Sequence, residues 1–392
     1  MDTIPDIQTS QLYIPDQVID FGAGFPSPSL LPKAMMAQAA AHRLAQEDAQ
    51  LLQYGAEMGD GHLRISLADF LARHYQIPVS PSELFITAGS SYTLDLICQH
   101  YTQPGDTIFV EEPTYIYALG IFRDYDLNVI SIPMDEQGLI LDMLQVQLAQ
   151  VTPRFVYTIP TFHNPSAVTL STDRREALVA LSEVHQFKIV ADEVYHLLNY
   201  TETPPPPPMF SLDRAETVIS VGSFSKILAP GVRLGWIQTA PPVAAQLYDR
   251  GFLISGGGFN PFTSSLVHTA INLGLQDDHL SHLKDIYRLR SHYLMDLLRE
   301  HIPALRFETV NGGFFLWAEL PHNLSAGRLL KHAEAHNIHF HSGASFSSQN
   351  GLDNHLRLSF AYYEDDKLEA GVKGLAKAYT RDRSNVIHQT VG

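Results

Sequence analysis

In the stretch 220–236, SVGSFSKILAPGVRLGW, a single lysine, Lys226, stands between small hydroxyl residues and a Pro-Gly turn, with Arg233 seven positions further on. An apolar run precedes it, so the lysine falls at the exit of a buried strand. Held partly out of water beside a second cation such as Arg233, a lysine sheds its proton more easily and becomes a nucleophilic amine. Arg233 also has the guanidinium fork that suits a dianionic phosphate, and Ser223 and Ser225 add hydroxyls. The same letters also describe a solvated lysine on a turn. A second candidate is Asp192, at the end of IVADEVY (189–195). A carboxylate at the end of a buried strand needs a cation or an N–H to offset its desolvation. A helix cap meets that need, and so does a protonated ring nitrogen. Tyr195, three residues on, can reach a phenolic oxygen of a ligand or bond a core carbonyl. Third, TAGSSYTLD (87–95) reads as strand, Gly-Ser-Ser turn and helix start. The unpaired amides of a helix start, with Ser90 and Ser91, suit a phosphate, and equally an ordinary cap.

These groups need elements to bring them together. Seven short apolar, β-branched runs lie at 84–89, 107–112, 128–133, 155–160, 188–193, 217–222 and 233–238. Helix-length segments at 91–101, 114–125 and 172–186 separate several of them. Continuous apolarity predicts strands covered on both faces, hence a mostly parallel, seven-stranded mixed sheet in an α/β layer. The last two runs are about ten residues apart, too few for the crossover helix of a parallel pair, so one strand is expected to be antiparallel. Open sheets of this kind place ligands at strand ends, which is where all three candidates fall. A long helical pattern at 276–302 precedes FFLWAEL, a helix near 325–336, LRLSFAY and a last helix near 364–380. Residues 39–289 are expected to form a large domain, and 1–38 with 290–392 a smaller one. The five prolines at 204–208 read as a stiff exposed connector.

The chain has 392 residues, 45% hydrophobic and 17% charged, the composition of a folded enzyme rather than of a disordered chain. Its net charge of −16 argues against nucleic acid or an anionic membrane as the main partner. One cysteine, Cys98, excludes an internal disulfide. The opening MDTIPDIQTS has neither the basic nor the apolar region of a signal peptide, and no run approaches the ~18 residues of a membrane span, so a cytoplasmic location is expected. No metal site is expected.

An amine, a buried acid and a phosphate cradle, in that combination, are the parts that hold pyridoxal 5′-phosphate. The sequence resembles the class I/II aminotransferases of fold type I, within the branch of 2-aminoadipate aminotransferases and regulator effector domains. The likeness runs through FGAGFPSPSLLP (21–32), QYGAEMGDGHLR (53–64), ITAGSSYTLDL (86–96), EEPTY (111–115), PTFHNPSAVTLS (160–171), VADEVY (190–195), GSFSKILAPGVRLGW (222–236), NGGFFLW (311–317) and HLRLSFAY (355–362). It implies that Lys226 forms the Schiff base and moves the substrate proton, and that Asp192 keeps the pyridine nitrogen protonated. It further implies that Asn164 and Tyr195 bond the phenolic oxygen and that Tyr115 stacks on the ring. Ser90, Ser91, Ser223, Ser225 and Arg233 would hold the phosphate. Tyr54 would reach the site of a neighbouring subunit, so a homodimer is implied. Arg357 would grip the substrate α-carboxylate, with Gly24 and Asn164 beside it.

The implied activity is transfer of an amino group from an L-amino acid to a 2-oxo acid in a biosynthetic setting. Aromatic residues in NGGFFLW and SGGGFNPF favour an apolar or aromatic substrate. Alternatives on the same fold are a lyase, a replacement enzyme or a cyclase, and, least favoured, a ligand-sensing module. The sequence departs from the resemblance in carrying Asn164-Pro165-Ser166-Ala167 where relatives carry Asn-Pro-Thr-Gly. Ile227 follows the lysine where many have threonine, and residues 21–32 lack an arginine for a distal carboxylate. Gly312 and Gly313 are expected to allow close packing under the site, and His341 is read as an exposed histidine, the alternative being a substrate-side group.

Overall fold

All seven apolar runs become strands, and six of them for the expected reason, burial almost without interruption; the run at 128–133 is buried only at Ser131 and Ile132. The computed structural model describes residues 11, 13–321 and 324–390; the N-terminal decapeptide lies outside them. A two-residue strand, β1 (Ile19–Asp20), comes first. The main sheet follows: β2 (Leu84–Thr87), β3 (Thr107–Glu112), β4 (Asn128–Asp135), β5 (Gly138–Leu139), β6 (Phe155–Thr158), β7 (Lys188–Asp192), β8 (Val218–Ser223) and β9 (Gly235–Gln238). Their order is β2-β9-β8-β7-β6-β3-β4-β5.

The five strands from β8 to β4 run parallel to one another, while β9 runs antiparallel to both β2 and β8. This confirms the antiparallel strand that the short 222–233 connection predicted. The count is eight rather than seven, because β5 folds back on β4 as a hairpin. Two residues carry no periodicity, so this edge escapes a pattern reading. The hairpin is pinned by Asp135, whose carboxylate accepts from the Gln137 amide at 2.8 Å and from Arg174.

Four strands lie further along: β10 (Phe315–Glu319), β11 (Ile338–His339), β12 (His341–Ser342) and β13 (His355–Ser359). The last three-stranded sheet has the order β10-β13-β12, and β11 pairs in parallel with β1. The segment after β1 is thereby tied to distant chain, and Ser359 N donates to Phe21 O at 2.8 Å. Helices Leu275–His301 and Asp365–Thr390 pack on each other beside these sheets. The 204–208 prolines are not a free connector. Pro208 is buried, and Pro207 O accepts from Arg175 Nη1 at 2.9 Å, because the buried guanidinium needs carbonyl partners. Among the described residues no helix is long and apolar enough to cross a membrane.

Candidate active site

Lys226 lies in the turn that follows β8, closed by Leu228 N donating to Phe224 O at 2.8 Å. Ser223 Oγ accepts from Ser225 N at 3.1 Å, which fixes the start of the turn. The lysine amine donates to Gly24 O at 2.9 Å and lies 5.4–6.0 Å from the ring centres of Phe25, Tyr195 and Phe314. Burial against these rings, with the charge of Arg357 added, lowers its pKa to about 8, while Asp192 acts the other way. The second cation expected beside the lysine is therefore Arg357 and not Arg233. Arg233 points elsewhere, with Nη2 donating to Ala88 O at 2.9 Å.

That placement puts Arg233 at the start of helix Ser90–Tyr101. Gly89 precedes the helix with φ +96°, and a Cβ there would lie 2.8 Å from Arg233 Nη2. The turn thus needs glycine both for its backbone angle and for the approach of the guanidinium. No side chain caps this helix, so Ser90 and Ser91 are not acting as ordinary caps. The first intrahelical bond is Thr93 N to Gly89 O at 3.0 Å, so the amides before it have no partner in the helix. Uncapped amides, two serine hydroxyls and an exposed guanidinium form an anion cradle.

Asp192 ends β7 and is 4% exposed. Its Oδ2 accepts from Tyr157 Oη at 2.8 Å, whereas its buried Oδ1 has no partner. Desolvation raises its pKa to about 6, opposed by Tyr157, the Val194 amide and the Lys226 charge. A buried carboxylate oxygen without a donor is costly unless a ligand N–H meets it. Sequence reasoning missed Tyr157. A tyrosine inside the wholly buried run FVYTIP is itself a signal, since its hydroxyl must find a polar partner.

Arg357 lies on β13, directly opposite Trp317 of β10 and His341 of β12. It is 4% exposed, and its guanidinium lies 4.0 Å from the Phe315 ring centre and 4.9 Å from that of Phe346. Nη1 donates to Asn164 Oδ1 at 2.9 Å and Nη2 to Gly22 O at 2.7 Å, while Nε is buried without a partner. Desolvation lowers its pKa to about 10. Among the described residues it forms no ion pair. The buried charge is thus open to an anion. Gly24 sits alongside: a Cβ there would lie 2.9 Å from Phe315 and 4.0 Å from Arg357 Nη2.

Tyr195 is buried between the edges of Phe314 and Phe315, 5.5 and 5.9 Å from their ring centres. Tyr115 precedes helix Ile116–Asp124, and burial together with the Asp192 charge holds its phenol well above the usual range. Tyr54 is not brought into the site of its own chain; it is 83% exposed. Gly312 and Gly313 do pack closely, against Phe162. His341 is a correction: it is half-buried, 3.1 Å from where a Gly22 Cβ would lie. Burial and the neighbouring Arg357 charge push its pKa down to about 4. Its place opposite Arg357 follows from strand register, which the sequence alone does not show.

Comparison with known proteins agrees with this geometry. The family model for aminotransferase class I and II matches residues 16–375. Aromatic-amino-acid aminotransferase 1 of Thermococcus litoralis is 34% identical over 92% of this chain and 87% of its own length. The multiple substrate aminotransferase of Thermococcus profundus superposes with a TM-score of 0.87 at 32% identity, over 95% of this chain and 93% of that one. The α-aminoadipate aminotransferase LysN of Thermus thermophilus, complexed with N-(5′-phosphopyridoxyl)-L-leucine, gives 0.85 at 30%, over 94% of each chain.

The fold and the site define a fold type I transferase of amino groups. The chain belongs to the class I and II aminotransferases, enzymes that carry an amino group from an amino acid to a 2-oxo acid and use pyridoxal phosphate. The residues present fit that cofactor: the orphaned Asp192 oxygen, the uncapped helix end with its serines and Arg233, and the lysine amine.

Proposed function

We propose that this enzyme transaminates apolar or aromatic L-amino acids, with Lys226 as the catalytic amine and Arg357 as the carboxylate clamp. One observation carries the assignment of roles. Lys226 lies within electrostatic reach both of the Arg357 charge and of Asp192, a buried carboxylate whose Oδ1 lacks a donor. When bound, the cofactor supplies an aldehyde for the amine and a conjugated ring that takes up the electron pair left as the substrate Cα–H bond breaks.

The residues of the chain do the rest. Asp192 would hold the proton of the ring nitrogen, with Tyr157 keeping the carboxylate oriented. Asn164 Oδ1 is committed to Arg357, a donor only, so its amide nitrogen is the group that turns to the phenolic oxygen, together with Tyr195. Ser90, Ser91, Ser223, Ser225 and Arg233 would anchor the phosphate end, and Tyr115 would cover the ring. Arg357 fixes the substrate carboxylate in a two-pronged grip beside Gly24, which aligns the Cα–H bond for Lys226 Nζ to take the proton. Such proton transfer by a positioned base contributes about 10²–10⁴-fold.

Substrate preference rests on the rings of Phe25, Phe314, Phe315 and Phe346 around the two cations, and on the absence of an arginine at 21–32. The aromatic-amino-acid aminotransferase of Thermococcus litoralis, by its name, and the leucine adduct in the Thermus thermophilus structure support the same reading. We assign 39–289 to a large domain and 1–38 with 290–392 to a small one, place the working enzyme in the cytoplasm as a homodimer, and give it a biosynthetic role. A donor panel with 2-oxoglutarate as acceptor tests the preference. Phenylalanine, tyrosine or leucine should exceed aspartate and 2-aminoadipate at least tenfold in kcat/KM; the reverse order would overturn it.

A further inference from the structure

The Asn164-Pro165-Ser166-Ala167 segment, the departure from the family pattern, carries a contact set that the roles above leave unused. His163 precedes it and is fully buried. Its Nδ1 receives the Ser166 amide at 3.3 Å and lies 2.8 Å from Ser166 Oγ. A backbone N–H only donates, so Nδ1 is the bare nitrogen and the ring proton sits on Nε2. That Nε2 faces Glu111 Oε2 at 3.1 Å, off the line of a good hydrogen bond. Glu111 is itself held, accepting from Thr158 Oγ1 at 2.6 Å and Ile159 N at 2.8 Å, so it cannot turn away. The backbone closes the loop around the ring: His163 N donates to Val168 O at 2.9 Å and Ala167 N to His163 O at 2.6 Å. Out of this loop Asn164 extends to Arg357.

We propose that His163 is a positioning residue: wedged between Glu111 and Ser166, its imidazole fixes the 163–168 loop and so sets Asn164 Oδ1 where it orients the Arg357 guanidinium. The inference rests on the reading of Arg357 as the carboxylate clamp. Among the described residues Arg357 forms no ion pair, so its direction depends on the two neutral acceptors it donates to, Asn164 Oδ1 and Gly22 O. Loosening one of them lets the fork swing and weakens two-pronged binding, while Lys226 and the ring-nitrogen acid stay in place. Ser166 explains why the departure is tolerated, since its hydroxyl and amide are the groups that the wedge uses.

Three His163 variants separate the parts. His163→Asn places an acceptor near the Nδ1 position, His163→Gln places a donor toward Glu111, and His163→Ala removes both. The readouts on cofactor-loaded enzyme are the Kd of 3-phenylpropionate, followed by the absorbance of the bound cofactor, the donor KM and kcat. Melting of the cofactor-free protein reports stability separately. His163→Ala should raise Kd and KM about tenfold and change kcat less than threefold, in keeping with a misplaced charge-assisted bond. His163→Asn should restore most of the affinity and His163→Gln little. Should His163→Ala not fold, Ser166→Ala, which keeps the ring, should still raise Kd about threefold. Unchanged Kd in His163→Ala, equal loss in the Asn and Gln variants, or unchanged Kd in Ser166→Ala would overturn the proposal. Arg357→Ala distinguishes the underlying reading: if it leaves Kd unchanged, the clamp assignment itself fails, whatever His163 does.

Discussion

Lys226 keeps an unusually accessible neutral form because burial strips its charge of water and Arg357 repels it, which one carbonyl, the ring faces and a more distant carboxylate only partly offset. Its amine meets Gly24 O, the ring faces and a second cation, and its pKa falls to about 8. The sign follows directly. Below about pH 8 the amine is protonated and the nucleophile fraction drops tenfold per pH unit; above it the fraction is constant. An amine-directed acylating reagent on cofactor-free protein should therefore label Lys226 at a rate that is half-maximal near pH 8 and levels off at about pH 9, read by peptide mass spectrometry. A rate still climbing through pH 10 would mean an ordinary lysine. Arg357→Met should move that plateau upward, since it removes a charge that depresses the pKa. The same small set of contacts makes Asp192 sensitive. Tyr157→Phe should remove the side-chain hydroxyl bonded to the buried carboxylate and weaken cofactor retention by about tenfold, measured by dialysis against a scavenger.

At the scale of elements, strands end where chemistry begins: β7 delivers Asp192, β8 delivers Ser223 and then Lys226, and the turn after β2 delivers Gly89 and Ser90. This much was legible, because buried strands leave continuous apolar runs and a polar residue at their ends stands out. The Arg357 site was legible only through resemblance. Its acceptors come from residues 193 and 335 positions away in sequence, and no local pattern encodes such pairing. The identity of the cation beside Lys226 was misread for the same reason, since the near arginine in sequence is the far one in space. His341 likewise looked exposed because a two-residue strand has no periodicity to place it. The loop 163–168 shows a local rule broken in view. Ala167 occupies φ +61°, where an L-residue costs about 1–2 kcal/mol, against the 0.4–1 kcal/mol that glycine loses through a freer unfolded chain. Ala167→Gly should therefore stabilise the fold by about 0.5 kcal/mol, measured by denaturant titration, and a clear loss of stability would show that the methyl packs usefully.

At the scale of the whole molecule, the site draws on chain from Gly22 to Arg357, so folding and site assembly are one event. Tyr54 is the residue proposed to reach a neighbouring copy. It stands 83% exposed, with Leu52 at 73% and Phe252 at 68%, surface that water covers poorly. If a second copy covers it, Tyr54→Ala should weaken cofactor retention in a dimer of unchanged size by sedimentation; retention identical to the parent would separate Tyr54 from the site. The central claim is that one amine of the chain carries the chemistry, and the test is direct. Enzyme loaded with pyridoxal phosphate, reduced with borohydride and digested should yield one phosphopyridoxyl peptide, modified at Lys226. The modification at any other lysine, or none at all, would contradict the account.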